Sequence, residues 1–414
     1  MILICEPSCK NFSHEKINEG FLYKTRLAFP DDKIIFLGHE SHIKILKKNL
    51  ILSKIEIGNI DFENIKINTN NSTLGLITNL RVIQRIRIIL ENYNSKKLFF
   101  LSSPKTLIYL QKFLNIKIEA SKVFVLHGEF ESILNQSNIE NKLEELPREN
   151  FFLKIKKISY KKLMGYLIKK LIKFDPVNMY LSKFESEEMI KKNHDESYKY
   201  IALSDHIIEN ISAIIDYKNY NISSIYYPQV KSLKRINIKN DFVKFAVFGF
   251  GDSKILYNLN LKIEKLKIKS PFQIRIIGMD NRGIDQFPWV TNPSKGETLP
   301  RKEMEKLLED IDFVLILYPN NRYRASCSGS VIEAITYEKP IIHLKNNCIS
   351  HFNENNEIGY MCENLDEFSL RILKIAEDYQ IEKRKIKEFK NSIIKKQKMI
   401  SVDSRLKLFA NKFN

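Results

Sequence analysis

A chain of 414 residues, 43% of them hydrophobic with 26 Phe and 18 Tyr, carries enough apolar material for two cored domains and is too apolar to stay disordered. Its formal net charge of +18 points to anionic partners: nucleic acid, an acidic membrane surface or phosphorylated substrates. Cys5, Cys9, Cys327, Cys348 and Cys362 lack zinc-ligand spacing and fit free thiols in a reducing compartment. No apolar run reaches the roughly 20 residues of a membrane span, and Cys5 gives way to polar residues too soon for a signal peptide, so a cytoplasmic location is expected.

Residues 1–5 predict a strand that stops at Pro7. A helix over 14–28 follows, with Ser13 as cap, then a Pro-Asp-Asp turn and a strand over 33–37: a βαβ start, and hence a parallel sheet. His14 and Glu15 fall just after the first strand, on the edge where open α/β sheets take ligands. A helix over 42–49, strand-like runs over 51–57 and 62–67, a helix over 72–93, a strand over 97–102, a helix over 104–114 and a strand over 122–126 continue the pattern. That last strand ends in His127-Gly128-Glu129. An imidazole at a strand end can take or give a proton near neutrality, glycine leaves room beside it, and Glu129 is the competing base.

Residues 151–174 place Tyr160, Leu163, Met164, Leu167, Ile168, Leu171 and Ile172 on one helical stripe, surrounded by lysines with no acidic residue. This pattern predicts a helix lying on an anionic membrane; only Tyr160 and Tyr166 are available for stacking, so nucleic acid is not the expected partner. A strand over 200–204, a helix over 205–215 and a run over 222–227 lead to a polar, charged hinge over 231–241. The alternation restarts with a strand over 242–248, followed by Gly249-Phe250-Gly251-Asp252-Ser253-Lys254. Gly249 and Gly251 let the backbone approach a phosphate that Lys254 would neutralise. A strand over 273–278 puts Gly278 on the ligand edge. After the turn holding Thr298 and a helix over 301–308, Asp310 and Asp312 imitate a metal motif but fall where a helix enters a strand, away from that edge; they read as structural, and no metal is expected.

Two β-rich runs, 313–318 and 340–344, enclose Tyr323, Arg324 and the cluster Ser326-Cys327-Ser328-Gly329-Ser330, which opens into a helix carrying Glu333. Ser328 or Ser330 can cap that helix, and its free amides and dipole favour a bound diphosphate, to which Arg324 would add charge. Helices over 380–398 and 401–413 close the chain.

At Asp312, Pro319, Ser328-Gly329-Ser330, Glu333-Ala334 and Lys339-Pro340 the chain resembles the C-terminal half of GT-B glycosyltransferases, the nucleotide-sugar-dependent group around family 4. The resemblance implies two facing Rossmann-like parallel-sheet domains with a cleft between them: an acceptor-side domain over 1–232, a donor domain over 240–385, and helices over 386–414 crossing back to the first. It implies metal-independent transfer from a nucleoside diphosphate sugar, without a cofactor. The donor would be held by Gly249, Gly251, Lys254, Gly278, the Thr298 turn, Tyr323, Arg324, Ser328, Gly329, Ser330 and Glu333, the last on the ribose. His127, Glu129, His14 or Glu15 would orient or deprotonate the acceptor hydroxyl. With the basic stripe, the acceptor is expected to be a lipid-linked glycan of capsule, O-antigen, lipopolysaccharide or exopolysaccharide assembly, and the protein peripheral on the inner face of the membrane. The family often has a second glutamate eight positions before the helix glutamate; Ala325 stands there. A nucleotide-sugar 2-epimerase and a non-catalytic membrane-associated partner with a degenerate donor site are the alternatives.

Overall fold

The structure, a computed structural model, describes residues 1–55, 58–68, 72–102, 104–131, 134, 186–230, 240–248, 253–278, 284–297 and 299–413. Along the chain these form β1 (Ile2–Cys5), α1 (Glu15–Ala28), β2 (Ile34–Gly38), α2 (Glu40–Leu52), β3 (Ile60–Asn64), α3 (Thr73–Asn92), β4 (Lys97–Phe100), α4 (Lys105–Lys112), β5 (Ser121–Leu126), α5 (Ser186–Lys191), β6 (Tyr198–Ala202), α6 (Asp205–Ile211) and β7 (Ile222–Ser224). They continue with β8 (Val243–Phe248), α7 (Ser253–Leu266), β9 (Phe272–Ile277), β10 (Val290–Thr291), α8 (Arg301–Leu308), β11 (Phe313–Ile316), α9 (Gly329–Thr336), β12 (Ile341–Leu344), α10 (Asn347–Phe352), β13 (Gly359–Cys362), α11 (Leu365–Glu377), α12 (Tyr379–Ile400) and α13 (Leu406–Asn411).

The chain divides into two compact units. Unit 1 comprises residues 1–225 and 405–414, and unit 2 residues 226–404. Unit 1 holds a parallel sheet in the order β3-β2-β1-β4-β5-β6-β7. Its inner strands are buried apart from the half-buried first residues of β4 and β5, as a sheet covered by helices on both faces requires. The last residues return to it through Arg405, whose guanidinium donates to both Asp205 carboxylate oxygens at 2.7 and 2.6 Å and to Ser224 O at 3.0 Å. Phe409 and Phe413 then pack edge-on against Phe99.

Unit 2 is a six-stranded parallel sheet, β10-β9-β8-β11-β12-β13. The two-residue period assigns alternate side chains to opposite faces: Phe313 and Leu315 join one core with α7 and α11, while Val314 and Ile316 join another with α9, α10 and the end of α12. Gln397 of α12 donates to Ile335 O at 2.9 Å and Thr336 O at 3.2 Å, capping the end of α9. Gly359 is needed where β13 meets β12, since a Cβ there would lie 1.8 Å from Ile341 O at a φ of +155°.

Residues 51 and 52 are not strand. They finish α2, because burying Leu46 and Leu50 on one helical face outweighs the β-preference of the following isoleucines, and Ile55 N closes the turn on Leu50 O at 2.9 Å. The basic stripe over 151–174 and residues 231–239 of the hinge expected over 231–241 lie outside the described residues.

Candidate active site

In unit 1 the carboxyl ends of β1, β4 and β5 converge on a polar cluster. Glu6, directly after β1, is fully buried. Its Oε1 accepts from Ser8 N at 2.9 Å, Cys9 N at 3.2 Å and the Ser102 hydroxyl, and its Oε2 accepts from Asn18 Nδ2 at 3.0 Å. Asn18 Nδ2 also lies 3.0 Å from His42 Nε2. With that nitrogen accepting, His42 Nδ1 donates to Asn11 O at 2.9 Å. This network pins the β1–α1 loop, in which Asn11 and His14 take left-handed backbone angles, φ 49° and 52°. Asn and His are among the non-glycine residues that tolerate that region, and the network holds them in it.

The loop delivers His14 onto His127, their rings stacked at 4.4 Å with 23° between planes. His127 Nε2 donates to Leu101 O at 2.7 Å. The tautomer is thereby set, and Nδ1 carries a lone pair with no hydrogen bond among the described residues. Desolvation lowers the His127 pKa, against the Leu101 carbonyl and Glu6, which raise it. Desolvation and then the adjacent His127 ring push His14 down to about 4, a shift moderated by the exposed outer face of that residue. A Cβ at Gly128 would meet nothing within 4 Å, so the space beside the pair is open. Glu129 accepts from Gly128 N at 3.0 Å. Burial raises its pKa, with the amides of 127–129 opposing. Glu15 lies elsewhere: its Oε2 accepts from Asn49 of α2 at 3.2 Å. The structure therefore groups His14, His127 and Glu129, and turns Glu15 toward α2.

In unit 2, β11 runs into the buried Leu317 and Tyr318 and then the loop that ends at Ser328, the N-cap of α9. Ser328 Oγ accepts from Val331 N at 3.4 Å and donates to Tyr318 OH at 3.3 Å. Tyr318 also packs on Tyr323, its ring tilted at 46° and 4.6 Å between ring centres, and Tyr323 itself is left-handed, φ 60°. Asn346 fixes the loop from below: its Nδ2 donates to Pro319 O at 3.0 Å and Arg322 O at 2.7 Å. Above α9 the surface is open, as a Cβ at Gly329 meets nothing within 4 Å. Val331 N is taken by Ser328 Oγ, so the room beside Gly329 lies at the positive end of the helix dipole.

Glu333 Oε1 accepts from Arg301 Nη2 at 2.8 Å, and Arg301 Nη1 donates to Tyr337 OH at 3.1 Å. Tyr337 in turn donates to Glu305 Oε1 at 3.0 Å. Arg301, at the start of α8, holds the Glu333 carboxylate in one orientation. The sequence offered one signal for it, an arginine opening a helix after a proline turn. Lys254 is exposed on the first turn of α7, Gly278 directly follows β9 at φ 75°, and Arg324 is half-buried in the Tyr323 loop. Gly249, Gly251 and Thr298 lie outside the described residues.

Asp310 receives Arg275 Nη1 at 2.5 Å and Lys244 Nζ at 2.7 Å, which outweigh desolvation and bring its pKa to about 2. Desolvation raises that of Asp312, whose Oδ2 accepts from Lys244 N, Asn240 and Tyr379 at 3.0, 3.1 and 2.9 Å. Both carboxylates are spent on the framework, and among the described residues no group of three His, Cys, Asp or Glu is placed to hold a metal.

No protein-family model matches the sequence, and no curated protein does either. Solved structures do match over essentially the whole chain. A glycosyltransferase from Rickettsia africae is 13% identical, with a TM-score of 0.55, and covers 100% of this chain and 97% of its own. HepE of Anabaena, solved with UDP and glucose, is 12% identical, with a TM-score of 0.59 and coverages of 99% and 98%. WaaG, a glycosyltransferase of lipopolysaccharide biosynthesis, is 10% identical, with a TM-score of 0.58 and full coverage of both chains. Two parallel-sheet units of this topology and these likenesses give the chain the GT-B fold.

Proposed function

We propose that the protein is a glycosyltransferase that takes a sugar from a nucleoside diphosphate donor. The reading is carried by the room beside Gly329 at the positive end of α9, with an oriented carboxylate one turn on: a diphosphate would sit at the helix start, and Glu333 would accept hydrogen bonds from neighbouring hydroxyls of a ribose. HepE, of the same fold, is solved with UDP and UDP-glucose, which supports a nucleotide sugar as ligand. As the bond from the sugar to the diphosphate breaks, negative charge grows on the leaving group. The α9 amides, Lys254 and Arg324 would stabilise that charge by preorganised electrostatics, without a metal. In unit 1 His127 Nδ1 would accept the proton, or the hydrogen bond, of the acceptor hydroxyl, with His14 and Glu129 setting its surroundings.

The acceptor is proposed to be a lipid-linked glycan of surface polysaccharide assembly, met at the inner membrane face. Its support is the net charge of +18 and the roles printed for WaaG. No helix among the described residues is long and apolar enough to cross a membrane; contact through a peripheral basic surface is the mode proposed, on the charge alone. Thermal denaturation against a panel of nucleotide sugars tests the donor, since a ligand at 100 times its Kd stabilises by about 2.7 kcal/mol. Glu333→Ala and Lys254→Ala should each abolish turnover with the fold kept. Full activity in both would refute the site. Epimerised free donor sugar with no acceptor product would identify a 2-epimerase instead.

A further inference from the structure

At the far end of the unit 1 sheet, a cavity of about 570 Å³ opens where β5 and β6 begin. From Ser121 to His127 the chain advances roughly 20 Å along β5, so this cavity is distinct from the histidine pair. Polar groups from the starts of β5 and β6, and from the turn before β7, line it. Lys199 of β6 is 9% exposed, lines the cavity and makes no hydrogen bond among the described residues. Desolvation lowers its pKa and the Glu196 carboxylate opposes that shift, so one acidic neighbour accompanies this ammonium at the cavity. Ser121 of β5 presents an Oγ, and His194 an Nδ1, each buried without a partner. Asn221, ahead of β7, has its Oδ1 taken by Lys412 Nζ at 2.7 Å, which leaves its Nδ2 as a donor toward the cavity. Lys218 adds a second ammonium at the rim, against one lining carboxylate, Glu196.

We propose that this cavity is an anion site for a phosphate monoester, held by Lys199, Ser121 and Asn221. A tetrahedral oxyanion offers acceptors in the three directions from which these segments supply donors; a carboxylate offers only a plane. The volume exceeds that of a bare phosphate ion several-fold, so an organic group accompanies the phosphate. Nothing in this site depends on the donor reading of unit 2.

The test is calorimetric titration of the full chain with glycerol phosphate, with sodium chloride at matched ionic strength as blank, and a parallel arm of vesicles containing phosphatidic acid. Saturable binding of the soluble ester assigns the phosphate to a free metabolite; binding of the vesicles alone assigns it to a lipid headgroup. In either arm Lys199→Met should weaken binding about tenfold or more, the loss expected for a charge-assisted hydrogen bond. Lys199→Arg should retain it, and Ser121→Ala should weaken it several-fold, which covers the case in which Lys199→Met fails to fold. Lys254→Ala should bind as wild type, separating this site from unit 2. Absence of binding in both arms, or affinity unchanged in both Lys199→Met and Ser121→Ala, would overturn the proposal.

Discussion

Arg301→Ala removes the group that holds Glu333, and its cost follows from the contacts. The Arg301 and Glu333 side chains are 15% and 18% exposed, so solvent screens their 2.8 Å contact only slightly. A charge-assisted hydrogen bond in such a place contributes about 1.5–3 kcal/mol. Tyr337 retains Glu305 at 3.0 Å, so its hydroxyl is not orphaned, and the lower end of that range applies. For a unit of this size, about 2 kcal/mol corresponds to a fall in Tm of roughly 4–8 °C. Denaturant melts of Arg301→Ala, Glu333→Gln and the double variant should show a coupling energy of about 1 kcal/mol or more. The affinity for the nucleotide should fall together with stability, because the freed carboxylate must be re-ordered on binding. Additive single effects would mean that the two side chains do not act as a pair, and the account of Glu333 as an oriented ligand would fail.

His127→Gln should lower the transfer rate at least a hundredfold with donor affinity unchanged, measured as kcat against nucleotide Kd; a weakened Kd with normal kcat would place His127 in donor binding. His343 is fully buried, with Nδ1 donating to Leu344 O at 2.8 Å and Nε2 accepting from Asn353 at 2.9 Å, and burial lowers its pKa from 6.5 to about 4. The unfolded chain therefore binds the proton first, and stability should fall as pH drops from 6.5 to about 4, by on the order of 3 kcal/mol. Denaturant melts across that range check this, and a flat profile would contradict it. Asp310→Asn should lower unit 2 stability by about 1–3 kcal/mol, leaving Arg275 and Lys244 without their counter-charge, while a chelator leaves turnover unchanged. Loss of activity on chelation would restore a metal to the reaction.

Much of this fold was legible because parallel strands buried on both faces read as continuous apolar runs, as at 97–100, 121–126 and 313–316. The same rule blurs short edge elements: β10 has two residues, and β13 depends on Gly359, whose reason is a backbone approach from Ile341 that lies 18 positions away. Residues 51–57 carry a local β-preference that the tertiary burial of Leu46 and Leu50 on α2 overrides at 51 and 52. At the site, Ser328, Gly329 and Glu333 were readable from a strand, a small-residue loop and a helix in sequence. Glu6, Arg301 and Asn346 do not stand out in the sequence, since the partners that give them their role, Asn18 and Ser102, Glu333, and Pro319 and Arg322, lie 12 to 96 residues distant and each looks locally like a surface residue. Glu15 shows the converse: sequence proximity to His14 grouped two side chains that α1 sends in different directions.

The most direct test of the donor site is hydrogen exchange of the full chain with and without saturating UDP, GDP or ADP. The account predicts that one of these protects the amides of residues 326–333 at the start of α9. Protection confined to other segments, with those amides exchanging at the unliganded rate, would contradict it.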